Sequence, residues 1–139
     1  METLSKSIEI NAPKEKVWNV LTQDMQSWAT AFAENVGGDW QQGGKVWFLG
    51  KDGTGMKGTI TERRENEYIK FVNDVMVINN IETTDLKEWT GTGDTYMLTE
   101  KDGVTTLAIE SIGTSKEDMT TMEPMWDEAL KRIKDNSEH

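Results

Sequence analysis

The sequence predicts an α+β fold in which a curved antiparallel sheet is covered by a long C-terminal helix. Three observations carry this reading. A strand-like run opens the chain, short alternating runs separated by turn residues fill the stretch from Lys45 to about Gly113, and an apolar stripe at helical spacing closes it. A curved sheet must cover its concave side, and the terminal helix is the only element long enough to do so.

Residues 4–11 form the first strand, with Ile8 and Ile10 on one face and Ser7 and Glu9 on the other. Asn11 is placed to cap the next element, and Pro13 suits the first turn of a helix over about 13–23, where a missing N–H costs nothing. Val17, Val20 and Leu21 give that helix its apolar stripe. Met25 carries it into a second short helix bearing Trp28, Ala29 and Phe32. Gly37-Gly38 and Gly43-Gly44 then break the pattern.

Strands follow over 45–49, 55–64, 67–72, 75–78, 95–100 and 104–112. Their turns fall at Lys51-Asp52-Gly53, Glu65-Asn66, Asn73-Asp74 and Lys101-Asp102-Gly103, and a polar segment from Asn79 to about Gly93 interrupts the series. In the last hairpin Tyr96 and Leu98 share a face, as do Leu107 and Ile109. The closing helix covers about 116–135, with Met119, Met122, Trp126, Ala129, Leu130 and Ile133 at three- and four-residue steps. Pro124 lies inside it, so either the helix kinks there or its regular part starts near Thr121.

A chain of 139 residues fits one domain, 1–139, able to bury roughly two-thirds of its extended surface without staples. There is no cysteine, which removes disulfides, thiolate metal sites and a cysteine nucleophile. The opening METLSKSIEI lacks a signal-peptide core, and no run approaches the ~18 apolar residues of a membrane span. A cytoplasmic protein is expected. The net charge of −10, with basic residues scattered, repels phosphate backbones and anionic headgroups and speaks against nucleic-acid or membrane partners.

Catalytic motifs are sparse. The only histidine is the last residue, His139, so a Ser-His-Asp arrangement and histidine metal sites are unavailable. The acidic clusters lack calcium-loop spacing, and "GKDGTG" is a hairpin turn without the Walker pattern. No catalytic residue, metal or cofactor is assigned. Glu82, Asp85 and Glu88 lie in the polar segment expected to border a cavity mouth, where a solvated loop is their plain reading. Glu62 and Glu110 are expected to face outward.

Bulky, adaptable apolar surface is the stronger signal. The chain has six tryptophans, and Trp47 stands between Val46 and Phe48, so both faces of that strand carry large side chains. Met119, Met122 and Met125 add flexible, polarizable groups of the kind that fit variable apolar shapes. A filled core of tryptophan and methionine is the competing explanation.

In this order, four stretches resemble the START-like (SRPBCC) superfamily, which shares the helix-grip fold of the birch-pollen allergen. They are "IEINAPKEKVWNVLT", "WATAFAENVGGDWQQGGKVWFLGKDGTGM", "WTGTGDTYMLTEKDGVTTLAIE" and "MWDEALKRIKD". They look most similar to its heat-shock-protein-90 ATPase activator-like branch of small bacterial proteins. The resemblance implies a seven-stranded antiparallel sheet gripping the C-terminal helix, two short helices after the first strand, and a cavity between sheet and helix.

On that basis the expected function is non-catalytic binding of a small hydrophobic or amphipathic molecule. Walls are expected from Trp47, Phe48, Ile60, Phe71, Tyr96, Leu98, Met122, Met125 and Trp126, with the Tyr96 hydroxyl orienting a polar end. Two alternatives stand beside it. One is a cyclase- or hydratase-type enzyme using cavity carboxylates or Tyr96, which requires a carboxylate of raised pKa inside the hollow. The other is a chaperone-ATPase-activator-like interaction module, which requires an exposed apolar patch. The expected state is a monomer or weak homodimer.

Overall fold

Side chains alternate across a strand, and in this chain one alternate set is buried while the other meets solvent. A computed structural model describes every residue, Met1–His139. The elements are β1 (Glu2–Ile10), α1 (Lys14–Gln23), α2 (Gln26–Ala29), β2 (Asn35–Gly38), β3 (Lys45–Leu49), β4 (Gly55–Arg64), β5 (Tyr68–Ile78) and β6 (Ile81–Thr83). A short 3-10 turn at Lys87–Trp89 leads to β7 (Gly93–Lys101), β8 (Val104–Gly113) and α3 (Lys116–Glu138).

Seven strands run in the order β1-β8-β7-β5-β4-β3-β2, every neighbouring pair antiparallel, and the short β6 adds to the end of β5. The buried set is continuous across the register: Ile8 opposes Leu107, Leu107 opposes Leu98, Ile109 opposes Tyr96, Tyr96 opposes Ile69 and Phe71 opposes Ile60. Against this face pack Val17 and Leu21 of α1, Trp28 and Ala29 of α2, and Trp126, Ala129, Leu130 and Ile133 of α3, all within one hydrophobic cluster. Each large aliphatic side chain fully buried there stabilises the fold by about 1.5–3 kcal/mol. This is the α+β helix-grip arrangement, with two short helices after the first strand.

The junction after β1 is held from several directions. The Thr105 hydroxyl donates to the Ala12 carbonyl at 2.7 Å, and the Glu100 carboxylate accepts from the Lys14 N–H at 2.8 Å. That second bond serves one of the orphan donors of the first turn of α1. Asn11 makes no side-chain cap, contrary to expectation: Pro13 is the N-cap, and the Asn11 N–H instead donates to Glu138 near the end of α3 at 2.8 Å. At the other end of α1, the Trp28 indole donates to the carbonyls of Val20 and Leu21 at 3.2 and 3.3 Å.

Three further expectations are corrected. Asn73-Asp74 is not a turn. β5 runs through it, and because Gly58 opposes Asn73 while Lys57 opposes Val75, Asp74 is an extra residue in a β-bulge. The bulge bends the sheet, and Gly58 makes room for the bend, since a Cβ there would lie 2.5 Å from the Phe71 ring. The actual hairpin turn is Asn79-Asn80, both at positive φ (50° and 68°), as a tight turn into β6 demands. Gly37 and Gly38, expected to interrupt structure, belong to strand β2 and pair with Trp47 and Val46.

α3 begins earlier than one of the two alternatives allowed and continues through Pro124. The Ser115 hydroxyl accepts from the Asp118 N–H at 3.1 Å, and the Asp118 carboxylate accepts from the Thr114 N–H at 3.2 Å. This reciprocal cap fixes the start. The Pro124 ring is exposed, and its missing N–H leaves the Thr120 carbonyl without a helical partner.

Candidate ligand-binding site

Bending the sheet without filling its concavity leaves a hollow of about 520 Å³ beneath the first half of α3. Phe48, Met56, Phe71 and Tyr96 from β3, β4, β5 and β7 form its floor, Phe32 and Ala33 one side, and Met119, Met122, Met125 and Trp126 its roof. The aromatic groups form a continuous edge-on array. Phe32 lies 4.8 Å from Trp126 and 6.0 Å from Phe48, Phe48 lies 5.9 Å from Phe71, and Tyr96 lies 5.9 Å from Trp126. Tilted and edge-to-face rings at these separations attract one another beyond their buried area.

Polar groups converge at one end. Asp94 of β7 opposes Ser111 of β8 in register, and both line the hollow with Tyr96. Burial raises the Asp94 carboxyl to about 6, and the neighbouring Ser111 and Tyr96 hydroxyls offset part of that rise. Burial, then the Asp94 charge, pushes the Tyr96 phenol well above its usual range. The Trp126 indole N–H is buried and makes no hydrogen bond, and the buried Tyr96 hydroxyl has the Asp94 carboxyl as its polar neighbour. Near the mouth, Asn73 donates to the Thr92 hydroxyl at 2.9 Å, which donates to the Trp89 carbonyl at 2.7 Å. A carboxyl titrating near 6 can give or take a proton at neutral pH.

Of the nine expected wall residues, Phe48, Phe71, Tyr96, Met122, Met125 and Trp126 line the hollow. Trp47, Ile60 and Leu98 do not. Trp47 alternates with Phe48 and faces the convex side, where its ring lies in the slot left by the missing Cβ of Gly37 and its N–H donates to Asn35 at 3.3 Å. Ile60 and Leu98 face the concave side but belong to the packed core. The loop carboxylates are elsewhere too: Glu82 pairs with Lys57, and Asp85 and Glu88 are exposed.

The profile of the family described as activator of Hsp90 ATPase homolog 1-like protein matches residues 11–138. The chain belongs to this family. No curated protein sequence matches it.

Solved structures share the fold of this chain. The Aha1 dimer from Colwellia psychrerythraea is 18% identical with a TM-score of 0.77, the match covering 99% of this chain and 97% of that one. CalU16 from Micromonospora echinospora is 17% identical with a TM-score of 0.69, over 97% of this chain and 75% of that one. Protein MLL2253 from Mesorhizobium loti is 14% identical with a TM-score of 0.74, over 97% and 96%.

The residue that sequence reading missed in this activator-like protein is Asp94. A signal for it existed. Tyr96 and Leu98 were placed on one face of a strand, and stepping back by the same interval of two puts Asp94 on that face.

Proposed function

We propose that this protein binds a small hydrophobic or amphipathic molecule in the cytoplasm without transforming it. The enzyme alternative keeps the group it requires, since Asp94 is a carboxyl raised to about 6 inside the hollow, and product formation from any bound compound would decide for it. The observation that carries the reading is the hollow of about 520 Å³, roofed by methionines and floored by aromatic rings, with its polar groups gathered at one end. Its size falls within the roughly 300–1,000 Å³ of small-molecule sites, and a mostly apolar lining with a few convergent polar groups is their usual chemistry. Methionine supports a site that adapts to its guest. Separately, no helix is long and apolar enough to cross a membrane.

The test is native mass spectrometry of freshly purified protein, then thermal-shift titration with apolar and amphipathic compounds. Retained molecules or a rise in Tm support the reading, and a clean apo mass with no shift across the panel overturns it. Met125→Lys sharpens the test. Met125 is only partly buried, so a charge there leaves Tm nearly unchanged while abolishing ligand-induced shifts. Global unfolding of this variant would mean that Met125 is plain core.

A second reading, a protein-interaction module, draws on the family description and on one surface feature. Ile78 and Ile81 flank the β5–β6 turn and are 50% and 73% exposed. If this tip drives a weak homodimer, sedimentation velocity should show concentration-dependent association that Ile78→Ser/Ile81→Ser removes. Concentration-independent monomers would dismiss that arrangement.

A further inference from the structure

The charge around the hollow is one-sided. Glu34, Asp94 and Asp118 line it, against Lys51 as the only basic residue. Asp118 is occupied in capping α3, where it accepts from the Thr114 N–H. Asp94 is different. It takes part in none of the molecule's ion pairs, and its polar neighbours are the hydroxyls of Ser111 and of Tyr96, which is 1% exposed. A carboxylate without a cation and a buried phenol oxygen without a donor are both costly in an apolar chamber.

One kind of ligand relieves both. An ammonium group brings a positive charge for Asp94 and enough N–H donors to serve the Tyr96 oxygen as well. A carboxylate ligand would instead set a second anion against the first. The net charge of −10 acts in the same direction, drawing cations toward the protein. Resting on the ligand-binding reading above, we infer that the site is selective for apolar amines, with the protonated nitrogen against Asp94 and the Tyr96 hydroxyl and the hydrocarbon under the methionine roof.

Three matched probes test this by calorimetry on the full chain at neutral pH: phenylbutylamine, phenylbutanol and phenylbutyrate. The amine should bind about tenfold or more tighter than the alcohol, with the acid weakest. Asp94→Asn should abolish the advantage of the amine over the alcohol. On the unmodified protein, amine affinity should fall as pH drops through about 6, because protonating Asp94 removes the counter-charge. The other titratable groups facing this space are Tyr96 on β7, Asp118 on α3, Glu34 before β2 and Lys51 after β3. The pH series decides the matter even if the variant fails to fold.

Equal affinity for amine and alcohol, tighter binding of the acid, or an amine preference that survives Asp94→Asn overturns the inference. Failure of all three probes with uptake of the neutral dye Nile red overturns it too, while leaving the hydrophobic site standing. Failure of the dye as well removes both.

Discussion

The two halves of α3 lie on the same sheet and do opposite things. Beyond Pro124 the helix presents Trp126, Ala129, Leu130 and Ile133, between 0% and 4% exposed and packed among α1, α2 and the strands. Met119 and Met122 come before Pro124 and Met125 directly after it, and Met122 and Met125 are only partly buried and stand over the hollow. Compact or rigid side chains fill one end, with Trp126 reaching the edge of the hollow, and long, supple methionines roof the other. The difference teaches that the fold's stability and its capacity for a guest are carried by separate stretches of one helix.

The sharpest way to break this contrast is a pair of truncations. Ile133→Ala opens a cavity in the solid half and should cost about 2–5 kcal/mol in urea denaturation. Met122→Ala, in the hollow half, removes a side chain that already lacks neighbours on one side and should cost at most about 1 kcal/mol. Similar costs would mean that the two halves are packed alike.

Asp94 sharpens the contrast from the other side, because enclosing its carboxyl in the hollow half costs stability. Its carboxyl lies near 6 in the fold and near ~3.9 in the unfolded chain, so the folded state holds its proton more tightly. Stability from this group is therefore greatest below about pH 4, is lost as pH rises toward about 6, and stays lost above it. Asparagine has no such charge to bury. Asp94→Asn should raise unfolding stability by about 1–3 kcal/mol at neutral pH, with the gain vanishing near pH 4. No gain, or a gain confined to acid, would show that Asp94 is not strained in the fold.

The sequence makes the packed half easier to read than the hollow half, for physical reasons. Alternation in β7 and β8 and the stripe of α3 announce buried faces, because a core selects apolar residues at fixed intervals. Trp47 and Phe48 could not be told apart, since a strand apolar on both faces has no polar side to mark its register. β2 lacked a signal because Asn-Val-Gly-Gly has little preference for a strand and is held there by pairing with β3. Asn73-Asp74 has residues that suit a turn and a bulge equally, and only the partner strand selects between them. Asp94 escaped notice because turn-like glycines and threonines precede it, which hides the start of β7.

The interruption at Pro124 now gains a mechanical meaning. A rod with one rung absent from its ladder bends most easily there, and this point lies between Met122 and Met125, within the stretch that covers the hollow. Under the proposed binding role, a tilt of the leading turns about this point would carry Met119 and Met122 while Met125 and Trp126 stay with the packed end.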